Sequence, residues 1–128
     1  MLKGKQMSVL LIVLTCVILG VFGQLLMKKG LNTLPNAISI RDLFSKEVFS
    51  VIFQRYVFIG IVLYILASLL WLVALSQEEL SFIYPLIAIG YVFTAILGKF
   101  LFHENLTMFR FFGILLICGG VYLIVLKI

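Results

Sequence analysis

Residues 81–126 read SFIYPLIAIGYVFTAILGKFLFHENLTMFRFFGILLICGGVYLIVL, two apolar runs joined by the polar corner His103-Glu104-Asn105. Each run approaches the roughly 20 residues a helix needs to cross a bilayer. Pro85 sits one turn into the first run, and Lys99 one turn before its end. The proline has no N–H to give, so the Ser81 carbonyl loses its helical donor. In hydrocarbon a freed carbonyl is tolerated only where protein or a water-filled cavity covers it. A lysine at membrane depth likewise needs a cavity, a partner or the headgroup interface. Both residues predict a wet path beside this helix.

Two more runs lie upstream, so that four spans are expected at residues 7–27, 56–77, 80–102 and 106–126, with Lys99 and Arg110 as their only charges. The chain has 128 residues, of which 64% are hydrophobic. A soluble domain of this size buries only about two-thirds of its surface and could not hide that much apolar area. The composition therefore predicts an all-α membrane protein, one four-helix domain over residues 1–128. Residues 7–27 exceed a signal-peptide core of about 7–15 residues. Lys28-Lys29 follows instead of a small-x-small cleavage site, so this run reads as a retained helix.

The net charge of +5 comes from lysines and arginines at span ends and in one loop. Anionic lipid headgroups are their natural neighbours, and no nucleic-acid partner is implied. Cys16 and Cys118 fall inside spans without ligand-like spacing and read as small apolar residues. Neither a nucleophile–base pair nor a metal-binding cluster is apparent, so no enzyme, metal or cofactor is expected.

In the first helix Cys16, Gly20 and Gln24 recur at i, i+4, i+8, with Gly23 adjacent. Small residues at that spacing let another helix approach closely. Gln24 serves either an interhelical hydrogen bond or a polar substrate. The only long connection, residues 28–55, opens with the breaker-rich KKGLNTLPN. Ile40, Leu43, Phe44, Val48 and Val51 then recur among polar residues, which predicts a short amphipathic helix lying in the headgroup plane. Trp71 lies about two turns inside the second span, too deep for an interfacial belt; it packs in the bundle or faces a cavity. Glu78 and Glu79 mark the water boundary of a tight hairpin.

Helical spacing puts Ser81, Tyr84, Pro85, Ala88, Tyr91, Ala95 and Lys99 on one face of the third helix, with Gly90, Thr94 and Gly98 opposite as a close-packing ridge. The last helix opens with Asn105 or Thr107 as N-cap. Its Gly113 and Gly120 share a face, with Gly119 beside it, and predict a dimer seam. Two copies can enclose a cavity that one four-helix chain cannot.

Basic residues are distributed unevenly. Lys3, Lys5 and Lys127 lie on the terminal side, against Lys28, Lys29, Arg41, Lys46, Arg55, Lys99 and Arg110 on the other. Seven against three places the 28–55 connection in the cytoplasm and both termini in the periplasm. A cysteine appended at the C-terminus is expected to react with a membrane-impermeant thiol reagent in intact cells; labelling only after lysis would reverse the orientation.

The segments GQLLMKKG at 23–30, LLWLVAL at 69–75, SFIYPL at 81–86, GKFLFHEN at 98–105 and GILLICGGVYLI at 113–124 resemble the small four-helix branch of the drug/metabolite transporter superfamily. These are EamA-like proteins related to the small multidrug resistance exporters. Within the branch the chain is most similar to ArnE/ArnF-type flippase subunits for undecaprenyl phosphate–aminoarabinose. The likeness spans everything but residues 31–55. One departure matters. The small multidrug exporters carry a proton- and drug-binding glutamate in their first helix, and setting their motif against GQLLMK puts Gly20 at that position. No acid lies within any span, which removes the titratable carboxylate a proton-coupled cation antiporter of that design needs.

The resemblance implies a multi-pass protein of the bacterial inner membrane that flips a polyprenyl-phosphate-linked sugar, working as a homo- or heterodimer. A groove between the first and third helices would shelter the headgroup while its tail stays in lipid. Lys99 and Lys28 would neutralise phosphate; Ser81, Tyr84 and Tyr91 would bond the sugar. Gln24, Trp71, Pro85, His103 and Glu104 complete the candidate binding set. Two alternatives are a small-molecule exporter, which should enclose a central chamber, and a non-transporting accessory subunit of a membrane glycosyltransferase, which should lack a continuous cavity.

Overall fold

A computed structural model describes residues 4–126. Lys3 and Lys127 of the charge count lie outside the described residues. In chain order the helices are α1 (Gly4–Leu31), α2 (Ile40–Leu43), α3 (Glu47–Ile52), α4 (Arg55–Gln77), α5 (Leu80–Ile83), a 3₁₀ turn (Tyr84–Ile87), α6 (Ala88–Phe102) and α7 (Met108–Leu126). The segment from α5 through α6 runs as one span, Leu80–Phe102, so four helices are long and apolar enough to cross a membrane, as the sequence predicts.

The most extensive pairing is α1 against α4, and glycine makes it possible. A Cβ placed on Gly60 would lie 2.5 Å from the Gly23 carbonyl oxygen, and one on Gly23 would lie 2.8 Å from that of Gly60. The two backbones touch where no side chain intervenes. At the end that borders the 28–55 connection, Gln54 ties the same pair together. Its side-chain oxygen accepts the Val57 N–H at 2.9 Å, capping α4, and its amide donates to Thr33 Oγ1 at 3.3 Å.

The core gathers at the opposite end. Val9, Val13, Val17 and Val21 of α1 meet Ala74 of α4, Phe82 and Ile83 of α5, and Leu86 of the 3₁₀ turn. From α7 only the C-terminal part, Val121, Ile124 and Val125, packs against this cluster, and no residue of α7 is buried.

The amphipathic stretch between the first two spans is two short helices, not one. Ser45 explains the break: its hydroxyl donates to the Asp42 carbonyl at 3.0 Å and accepts the Glu47 N–H at 3.3 Å, offering the backbone local partners in place of helical ones. Asp42 also accepts the Ser39 N–H at 2.8 Å, a bond that holds its carboxyl below the usual carboxylate range. Ile40, Leu43, Phe44, Phe49 and Phe53 are all exposed, an apolar set suited to the acyl boundary.

Candidate functional site

Midway along the bundle α1, α4 and the third span part to leave a cavity of about 290 Å³. Cys16, Gly20 and Gln24 form its α1 wall, Tyr64, Ser68 and Trp71 its α4 wall, and Tyr84, Gly90 and Tyr91 the third. The stripe thus borders the cavity, correcting the close-packing expectation: Cys16 is buried in its wall, and a Cβ on Gly20 would meet nothing within 4 Å. The close approach is made one step round, at Gly23. Gln24 is exposed, and among the described residues its amide has no hydrogen-bond partner. Trp71 is half-buried and meets Tyr84 edge-on, ring centroids 6.1 Å apart, so it both packs and lines the cavity. The wall carries hydroxyls, an amide and aromatic faces but no charge.

Tyr64 and Ser68 were not predicted from sequence. Their signal was present, since Tyr64, Ser68 and Trp71 recur at i, i+4, i+7 in an otherwise aliphatic helix.

Lys99 is not in this cavity, although an unbroken α-helix at about 3.6 residues per turn would hold it within about 60° of Tyr84. The three steps from Tyr84 to Ile87 turn at about 3.0 residues per turn instead, which swings Lys99 to about 120° from Tyr84 and brings Gly90 from about 120° to about 60°. The face drawn from sequence is therefore split, and Gly90 joins the tyrosines it was set against. Gly90 still packs closely, its Cβ position 3.2 Å from Val17.

A second cavity, of about 470 Å³, lies between α6 and α7. Lys99, Glu104, Asn105 and Arg110 line it, with Thr94 and Gly113. His103 ends α6 in the left-handed conformation (φ 54°, ψ 34°), and its N–H bonds back to the Gly98 carbonyl. That turn delivers Glu104 against Gly98, where a Cβ would lie 2.9 Å from the carboxylate. Thr107 caps α7, accepting the Arg110 N–H at 3.3 Å. Ser81, Pro85, Lys28 and His103 line neither cavity. Of the predicted seam, Gly113 belongs to the second cavity wall, while Gly119 and Gly120 face open space.

A model of the EamA-like transporter family matches residues 38–126. The chain belongs to this family. It is 36% identical over 105 residues to a Proteus mirabilis protein named "Probable 4-amino-4-deoxy-L-arabinose-phosphoundecaprenol flippase subunit ArnF", covering 79% of each chain. A protein of the same name from Photorhabdus laumondii is 34% identical over 119 residues, 87% of this chain and 91% of the relative. A Pseudomonas fluorescens protein named as the corresponding subunit ArnE is 34% identical over 59 residues, 46% of this chain and 52% of the relative. No solved structure matches the chain. This EamA-family member is a multi-pass membrane protein of bacterial type, and its helical spans place it in the inner membrane, since single-chain outer-membrane proteins are β-barrels. A transporter family also agrees with the expectation of a non-enzymatic role.

Proposed function

We propose that this EamA-family chain is one subunit of a flippase that moves a polyprenyl-phosphate-linked sugar between leaflets. The observation that carries the reading is the first cavity: uncharged, hydrogen-bonding, aromatic and open at the side of the bundle. Tyr84 is 61% and Tyr91 57% exposed at its mouth, so a sugar can enter from the lipid while its tail stays outside. Aromatic faces and hydroxyls are the groups that hold a sugar, and an exporter of small molecules would enclose its chamber instead. The relatives' names, which specify an aminoarabinose-phosphoundecaprenol flippase, support the same substrate class. With no acid in any span, movement follows the gradient of the lipid or an ion bound elsewhere.

The relatives are named as subunits, and the exposed α7 supports a second copy or a paralogous chain as partner. The test is reconstitution, with and without that partner, into liposomes holding a fluorescent polyprenyl-phosphate amino sugar. The fraction quenched by an external reagent should rise from about half toward completeness; an unchanged protected fraction in both preparations refutes transport. Gly120→Leu should split the assembly on light scattering, because a large side chain holds the two backbones apart. An unchanged mass places the interface elsewhere.

A further inference from the structure

We propose that the second cavity is a zwitterion site, in which Lys99 and Arg110 take a headgroup phosphate and Glu104 takes a protonated amine of the same headgroup. The inference rests on the transport reading for its substrate class and assigns the residues that select within it. Three ionic side chains, two positive and one negative, line one cavity. Among the described residues the side chains of Lys99 and Glu104, both exposed at the cavity wall, form no ion pair or hydrogen bond. Arg110 gives one bond, Nη1 to the Asn105 carbonyl at 3.1 Å, leaving its other donors free. Ionic groups beside a membrane cavity that are not spent on each other mark a ligand path.

Local structure holds them apart. His103 turns left-handed, and the Glu104 N–H bonds the Gly98 carbonyl at 3.3 Å, folding the carboxylate back over a residue that has no side chain to obstruct it. Lys99 and Arg110 come from the end of α6 and the first turn of α7. An ammonium and a guanidinium suit a phosphate, and a carboxylate suits an amine. Eight residues separate Lys99 from Tyr91, about 12 Å along the helix. The cavity therefore lies toward the side of the 28–55 connection, a loading position next to the uncharged crossing cavity.

Headgroups bearing both a phosphate and an amine occur on a polyprenyl-phosphate amino sugar and on phosphatidylethanolamine, and the experiment separates them. The purified full chain, with its partner subunit where the assembly requires it, is titrated by native mass spectrometry with four lipids. These are a polyprenyl-phosphate amino sugar, the same lipid with a neutral sugar, phosphatidylethanolamine and phosphatidylglycerol. An amine-bearing lipid should be retained on the order of tenfold more tightly than its amine-free counterpart, the scale of one charge-assisted hydrogen bond. The pair showing the preference, polyprenyl or glycerophospholipid, identifies the source. Glu104→Gln should erase the preference without weakening the amine-free lipids; Lys99→Met should weaken all four. Gly98→Ala, which displaces the carboxylate but keeps its charge, should reduce the preference partway.

A preference that survives Glu104→Gln, or binding unaltered by Lys99→Met, overturns the proposal. The wild-type flipping assay reports separately: flipping with no amine preference refutes this site alone, while a Glu104-dependent preference without flipping refutes transport alone.

Discussion

Gly60→Leu is expected to abolish recovery of folded protein, and Gly60→Ala to lower the thermal unfolding midpoint measurably. The position has no slack. A Cβ there would lie 2.5 Å from the Gly23 carbonyl oxygen, 2.7 Å from Met27 Cγ and 2.9 Å from the Met27 nitrogen. Two of those three neighbours are backbone, so a rotamer change cannot relieve the contact; α1 and α4 must separate. Overpacking of a tight core typically costs about 1–3 kcal/mol even where side chains can shift, and the pair at risk is the most extensive helix contact in the fold. Gly20→Leu is the control, about one turn from Gly23 on the facing helix α1. Its Cβ meets nothing within 4 Å, so the protein should fold, while the added side chain fills the cavity and blocks transport. Size-exclusion profiles and thermal denaturation in detergent decide both. A Gly60→Leu variant as stable as wild type would mean that the two helices do not meet at these glycines.

That contrast shows what the sequence could convey. Long apolar runs bounded by lysines, breakers and a polar corner made the four spans legible, and their ends agree within a few residues. Membrane insertion depends mainly on composition along the chain, so the linear signal suffices. The role of a given small residue was not legible. Cys16, Gly20 and Gln24 form as regular a stripe as any packing seam, yet they line a cavity, while Gly23 beside them makes the contact. A small side chain leaves room, and only the partner helix decides whether backbone or emptiness occupies it.

The candidate site was half legible for a different reason. Pro85 predicts a wet path but lines neither cavity; it lies instead in a 3₁₀ turn, Tyr84–Ile87, through which a uniform helical periodicity does not hold. Four residues of 3₁₀ geometry rotate everything downstream. One supposed face thereby becomes two sites, with Tyr84 and Tyr91 at the uncharged cavity and Lys99 at the charged one. Tyr64 and Ser68 were readable as a stripe with Trp71, a pattern masked by the strongly aliphatic residues around it.

Gln24→Leu is expected to slow flipping by about 5- to 160-fold without lowering stability. Gln24 is the strongest hydrogen-bonding group that α1 contributes to the first cavity, and none of the described residues bonds its amide. An amide at that depth is costly in hydrocarbon unless something polar meets it, and the crossing headgroup is the partner the cavity admits. Leucine keeps the approximate volume and removes both the donors and the acceptor. A sugar hydroxyl passing the variant would then be left unpaired, at a cost of about 1–3 kcal/mol, which corresponds to that range of rates. Because no intramolecular bond is lost, the thermal midpoint should stay put or rise. Loss of lipid binding at the second cavity is not expected, since Gln24 does not line it. Initial rates in liposomes at matched protein content, with the unfolding midpoint measured on the same preparation, give the answer. A leucine variant that flips at the wild-type rate would remove Gln24 from the path, and one that unfolds early would make its amide a structural element of the bundle.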